Sequence, residues 1–186
     1  MSLDPLEPVP EDLRYLLVPL LGVPYRDYRS TEAGYAGAPA WAIEEPVLAD
    51  VRQDGAHCVG LLNLILWQLG APKRVRGTME LWKIMAPWRR PFRDEEPGDG
   101  DLLLRAYDNE EDQGHVAIVL DHGELAHCYW TENFDVARPM PQGLGRPGVA
   151  IDKSWRTSHA WDNTGYYQAR VPFQDWIDWA FLLPPV

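Results

Sequence analysis

Cysteine is scarce in this sequence: Cys58 and Cys128 are the two in 186 residues. Two thiols cannot build the disulfide framework that staples small secreted domains, so both are expected to be reduced. Basic residues are also short, with 17 Lys and Arg against 28 Asp and Glu, for a formal net charge of −11. A chain this acidic repels phosphate backbones and anionic lipid surfaces, and no Lys/Arg-rich run offsets the repulsion. That argues against nucleic acid or membrane as the main partner. Long apolar runs are missing as well, since no segment approaches the roughly 18 consecutive apolar residues of a membrane span. The opening MSLDPLEPVPEDLRYLLVPLLGVPY is acidic and broken by prolines ahead of the short apolar stretch from Leu16 to Val23. A secretory leader needs a basic start and an unbroken apolar run. The expectation is therefore a cytoplasmic protein, or one that leaves without a leader, for example by lysis.

What is present is the composition of a globular domain: 46% hydrophobic and 24% charged residues, in a chain long enough to bury a real core. No internal repeat or low-complexity tract divides it. Residues 10 to 21 predict a short helix with acidic residues in its first turn, where the helix dipole favours them. Residues 22 to 55, rich in Gly, Pro, Ala and acidic side chains, read as a long loop or partly ordered insert. Residues 56 to 69 form the clearest helix, stopped by Gly70 and Pro72. A second helix is expected over 77 to 86, with Thr78 as its cap. Strands are expected at 101 to 107, 115 to 120 and 124 to 130, then a loop-rich stretch over 131 to 165. A last strand in GYYQARV and an amphipathic helix in FQDWIDWAFL close the chain. Helices first and an antiparallel meander after them define an α+β domain.

The stretch GHVAIVLDHGELAHCYW carries the first chemical signal. A three-residue hairpin loop commonly ends in a left-handed glycine, and DHG, residues 121 to 123, meets that requirement with Gly123 last. Leu120 then faces Glu124, Ala117 pairs with His127, and His115 pairs with Tyr129. Side chains alternate between faces, so His115, Ala117, Val119, Leu125, His127 and Tyr129 share one face, while Val116, Ile118, Leu120, Ala126 and Cys128 take the other. His115 and His127 become diagonal neighbours, roughly 7–8 Å apart between backbones, close enough for two imidazoles to meet. The plainer alternative for each is a strand-edge histidine with a local hydrogen bond. His122, in the turn, reads as solvated, and His159 has no evident place.

Cys58 supplies the second signal. It sits in the first turn of the 56–69 helix, with Asp54 or His57 as the cap. Unpaired N–H groups and the positive end of the dipole stabilise a thiolate there, and a neighbouring imidazole would accept its proton. Leu61, Leu62, Ile65 and Leu69 lie on the side of Cys58, so that side is expected to pack on the strand face carrying His115 and His127. Taken alone, Cys58 reads as a buried core thiol sooner than as a nucleophile; the histidine pair reverses that order. Cys128, pointing away from the pair, reads as a core residue. His57–Cys58 and His127–Cys128 also offer soft metal ligands, but the register sends His127 and Cys128 to opposite faces and no paired-cysteine spacing exists. Neither a metal nor any other cofactor is expected.

In order and style, DGAHCVGLLNLILWQLG, PGDGDLLLR and GHVAIVLDHGELAHCY resemble the NlpC-type cell-wall cysteine peptidases, and LLGVPYRDY resembles that family's Gly-x-Pro-Tyr segment. At the nucleophile the family usually reads Asp-Cys-Ser-Gly, where this chain has HCVG. The resemblance implies a papain-like fold with helices packed on an antiparallel sheet and the nucleophile at a helix N-terminus. It implies one such domain over 1 to 186, with an insert at about 26 to 52 and an enlarged tail from about 131. It makes Cys58 the nucleophile, His115 the general base, His127 the orienting residue, and Tyr25 a contact for the substrate or the oxyanion. The implied reaction is hydrolysis of an amide bond in a peptidoglycan stem peptide, with Arg26, Arg29 or Arg105 as candidates to meet the carboxylates of that muropeptide substrate. Two other readings stay open: a thiol acyltransferase of a related fold, with some of the nine tryptophans (among them Trp41, Trp82, Trp88, Trp155 and Trp161) lining an acyl pocket, and a non-catalytic binding or phage-tail module.

Overall fold

The computed structural model describes residues 8–25, 46–91, 95–106, 114–129, 148–152 and 167–182. It is an α+β arrangement of helices and one antiparallel sheet. Helix α1 (Asp12–Leu17) opens with the Asp12 carboxylate accepting from the Val9 N–H at 3.1 Å. It is shorter than the 10–21 span predicted: Pro19 cannot continue an α-helical ladder, and the chain tightens into a 3₁₀ turn over Val18–Leu20. Helix α2 (Leu48–Asp54) lies in the stretch expected to be loop or insert and ends at Gly55, whose φ of 82° only glycine adopts easily. Residues 26–45 of that expected insert lie outside the described residues.

Helix α3 (Cys58–Gln68) is the centre of the fold. It ends as the sequence predicts, with Gly70 left-handed and the Ala71 and Gly70 N–H groups donating to the carbonyls of Leu66 and Trp67, the two bonds of a Schellman stop. Its burial is not one-sided: Val59 to Leu66 are all buried. A helix that is apolar all round needs cover all round, and α3 runs between the sheet and α1, where the Gln68 amide donates to the Leu16 carbonyl at 3.0 Å. The buried Asn63 uses its amide to hold both backbone groups of Val75, accepting at 2.9 Å and donating at 2.7 Å, which docks the connection to the next helix. Helix α4 (Thr78–Ile84) starts with Gly77 in the capping position; Thr78, expected as the cap, is its first residue.

The strands are β1 (Arg90–Pro91), β2 (Leu102–Arg105), β3 (His115–Val119), β4 (Leu125–Tyr129), β5 (Gly148–Asp152) and β6 (Ala169–Val171), and the last helix is α5 (Phe173–Phe181). Their order across the sheet is β1-β6-β2-β3-β4-β5, antiparallel throughout. β5 is a five-residue strand inside the tail expected to be loop-rich. The β3–β4 hairpin has the predicted register: Ile118 faces Ala126, Val119 faces Leu125, and the Leu120 N–H donates to the Glu124 carbonyl. Gly123 is left-handed, and so is His122, at φ 63°. Arg14 reaches down from α1 to the carboxylates of Asp121 and Glu124, tying that turn to the first helix.

One cluster of buried side chains joins residues from α1, α2, α3, α4, α5 and strands β2 to β6. From the hairpin it takes Val116, Ile118, Leu120, Ala126 and Cys128. The face under α3 is therefore the one without the histidines, contrary to the expectation that α3 packs on the pair. The physical reason is plain, since five apolar side chains cover an all-apolar helix better than a face interrupted by two imidazoles. At the other end of the sheet, Asp101 joins β2 to α5: it accepts from the Phe173 N–H at 3.0 Å and from Arg170 at 2.9 Å. The Trp176 indole N–H donates to the Gly100 carbonyl at 2.9 Å. No helix among the described residues is long and apolar enough to cross a membrane.

Candidate active site

Three segments converge at the start of α3. The Val23–Tyr25 segment runs between β5 and the residues leading into the helix: Pro24 bridges Gly148 antiparallel, and Tyr25 bridges Ala56 in parallel. The Val149 N–H donates to the Val23 carbonyl, and the Ala56 N–H donates to the Pro24 carbonyl at 2.9 Å. This approach is so close that a Cβ on Gly148 would run into the Val23 carbonyl oxygen. Tyr25 is thus fixed two residues from Cys58 by a pairing that crosses the chain, and its side chain packs half-buried against the core.

Cys58 is the first residue of α3 and is partly exposed. Of the two candidate caps, His57 is the one that acts: its Nδ1 accepts from the Gly60 N–H at 3.0 Å. A lone pair must face Gly60, so the cap is made by the neutral imidazole. Val59, the departure on the other side of the cysteine, is fully buried and faces the core. The Cys128 thiol donates to the Ala56 carbonyl at 3.1 Å, just before this helix start. Burial pushes the Cys128 thiol well above its ordinary pKa, and the nearby charge of Cys58 pushes it further. Cys128 is the core residue expected, on the face away from the histidine pair, and it lies there beside Cys58 under the helix.

His115 opens β3 and His127 lies on β4, both buried. His115 Nε2 and His127 Nδ1 are 3.4 Å apart, with the rings edge to face at 78°. The diagonal meeting read from the hairpin register is therefore present. Gly114 sets the entry to the strand at φ 67°; a Cβ there would stand 2.9 Å from the Arg105 carbonyl and 3.0 Å from Thr78. Burial lowers the His115 pKa well below the usual imidazole value, and the neighbouring His127 and the Arg105 cation lower it further. His115 is held as the neutral base at neutral pH.

A fourth residue was missed in the sequence. His127 Nε2 is 3.1 Å from the Asp152 carboxylate, which is itself buried. Asp152 is opposite Leu125 in the β4–β5 register, hence on the same face as His127. Its signal was faint, because β5 opens on Gly148 directly after Pro147 and sits among residues that read as loop.

Of the proposed carboxylate contacts, Arg105 is opposite His115 in the β2–β3 register, while Arg26 and Arg29 lie outside the described residues. His122 is exposed in its turn as expected, and His159 is outside the described residues. Trp82 is stacked under Arg89 at 3.7 Å; Trp41, Trp155 and Trp161 are outside the described residues. Among the described residues no group of three or more His, Cys, Asp and Glu is arranged to hold a metal ion. Compared with known proteins, the chain matches no family model and no curated protein.

Proposed function

We propose that this chain is a papain-like cysteine peptidase of the NlpC type, hydrolysing amide bonds in peptidoglycan stem peptides through a thioester. The observation that carries the reading is the buried His115–His127 pair, Nε2 to Nδ1 at 3.4 Å. It opens from β3 and β4 at the end of the sheet where α3 begins: Cys128, next to His127 in the chain, binds Ala56, two residues before Cys58. A partly exposed cysteine at a helix start and a neutral buried imidazole at that same end are the two halves of an activated thiol.

In the proposed reaction the Cys58 sulfur attacks the carbonyl carbon while its proton passes to His115. The oxyanion takes a hydrogen bond from the Cys58 backbone N–H at the helix start, with the Tyr25 hydroxyl as second donor. His115 returns the proton to the departing amine, leaving the acyl group on sulfur. Water, deprotonated by His115, then attacks the thioester, and the thiol is regenerated with its proton. His127 holds the His115 ring in place. Neutral His115 suits this role, because a base protonated at neutral pH could not accept the thiol proton.

Incubating the protein with muropeptides and, in parallel, with acyl-lipid donors tests the proposal. The expected result is pairs of muropeptide fragments whose masses sum to the substrate plus one water, with a transient acyl adduct on Cys58 by mass spectrometry and no turnover in Cys58→Ala. Transfer from lipid donors alone would make the protein an acyltransferase. Muropeptide binding that never leads to turnover would make it a binding module.

A further inference from the structure

The buried polar chain does not end at His127. It crosses three neighbouring strands, from His115 on β3 through His127 on β4 to Asp152 on β5. We infer that Asp152 is a positioning residue that dictates the tautomer of both histidines and thereby makes His115 Nδ1 the proton acceptor; this rests on the thiol hydrolase reading above.

The argument is proton bookkeeping. A carboxylate only accepts hydrogen bonds. His127 Nε2, 3.1 Å from Asp152 Oδ2, must therefore carry the hydrogen. A neutral imidazole has one N–H, so His127 Nδ1 is left with a lone pair. That lone pair faces His115 Nε2 at 3.4 Å, which must then be the N–H of its ring. His115 Nδ1 is consequently the nitrogen with a lone pair, and the proton of a thiol can go only there. Both histidines thus take the same Nε2–H form from a single anchor. No proton moves to Asp152 in this scheme: its charge orients the rings and stabilises the imidazolium formed when His115 takes the proton.

The geometry suits a built relay rather than an accidental contact. The Leu125–Asp152 register places the carboxylate on the histidine face, and the side chains of His127 and Asp152 are 1% and 9% exposed. Water therefore has little access to replace either partner, and the hydrogen bond keeps its strength in the low-dielectric interior. The charged and titratable groups that face His115 come from all its neighbours in the sheet: Arg105 from β2 and His127 from β4, with Asp152 behind His127 from β5. Without the carboxylate, His127 is no longer bound to keep its proton on Nε2. If it protonates Nδ1 instead, it donates to His115 Nε2, which drives the His115 proton onto Nδ1 and removes the base.

The experiment reads the ring nitrogens directly. Long-range ¹H–¹⁵N correlation spectra of the wild-type protein at neutral pH, assigned with His115→Gln and His127→Gln, should show Nε2–H tautomers for both rings. Asp152→Ala should mix or invert those tautomers and slow Cys58 alkylation at about pH 6.5 by about tenfold or more, the scale of losing a ring-orienting partner. Asp152→Asn keeps a carbonyl acceptor of the same shape and should recover part of both; it also carries the test should Asp152→Ala not fold. A merely structural Asp152 would lower stability but leave tautomers and the pH profile of alkylation unchanged, and that result overturns the inference. So does a wild-type spectrum with Nδ1–H rings. Wild-type tautomers as described, together with a Cys58 that is alkylated only in the ordinary thiol pH range, would instead sink the hydrolase reading and leave tautomer control by Asp152 standing.

Discussion

Acid should destabilise this protein through His115, and the size of the effect follows from where the ring sits. His115 is 6% exposed, and burial together with His127 and Arg105 lowers its pKa well below the usual value. In the unfolded chain it returns to about 6.5. Between those two pKa values the unfolded state binds a proton that the folded state does not, so unfolding becomes easier as pH falls. Stability from this group is complete above the unfolded value and is lost on descending through it, with a limiting slope of about 1.4 kcal/mol per pH unit. Between pH ~6.5 and ~5 the slope climbs from about half that limit towards it, so the loss is on the order of 1 kcal/mol, against the 5–15 kcal/mol that typically holds a domain together. Urea unfolding followed by tryptophan fluorescence, at a series of pH values from ~7.5 to ~5, measures it. Comparison with His115→Gln isolates it, because the carboxylates of this acidic chain titrate in both proteins. The wild-type stability curve should fall more steeply by close to the stated slope. Parallel curves would refute the reasoning, and so would a wild type that gains stability relative to the variant as pH drops.

Other perturbations have equally definite outcomes. Asp101→Ala leaves the buried Arg170 with Glu95 as its one remaining ion partner among the described residues and removes the acceptor for the Phe173 N–H; it should cost about 3 kcal/mol in urea unfolding, the lower part of the range for breaking a buried pair. Asn63→Ala strips both partners from the Val75 backbone and should cost about 2–3 kcal/mol by the same assay, mostly from burying unpaired peptide groups. Gly114→Ala forces a left-handed alanine against the Arg105 carbonyl and Thr78; it should cost about 1–2 kcal/mol in unfolding and, by moving His115, suppress the early reactivity of Cys58.

Local rules carried the sequence a long way. DHG with a terminal glycine fixed the loop length, the loop length fixed the register, and alternation then put His115 and His127 together, all within one hairpin. The stop at Gly70 was readable because a Schellman ending needs only a glycine and its immediate neighbours. Failures fell where distant segments decide. Alternation says which residues share a face but not which face a helix covers, so the expectation that α3 packs on the histidine side fails while the separation of Cys128 from the histidines holds. Asp152 meets His127 only through β5, a strand that opens on Gly148 behind Pro147 in a stretch that reads as loop. The Tyr25–Ala56 bridge is equally non-local; the motif around Tyr25 pointed to a role but gave no means to place it.

The central claim is that Cys58 is a thiol activated by His115, and its reaction with iodoacetamide as a function of pH tests that most directly. Alkylation located by mass spectrometry should label Cys58 well below pH ~8, under the ordinary thiol range, and spare Cys128 until the protein unfolds. In His115→Ala the early labelling should disappear while the fold is retained by circular dichroism. A Cys58 that reacts only like an ordinary or buried thiol, or one whose early labelling survives His115→Ala, would contradict the account.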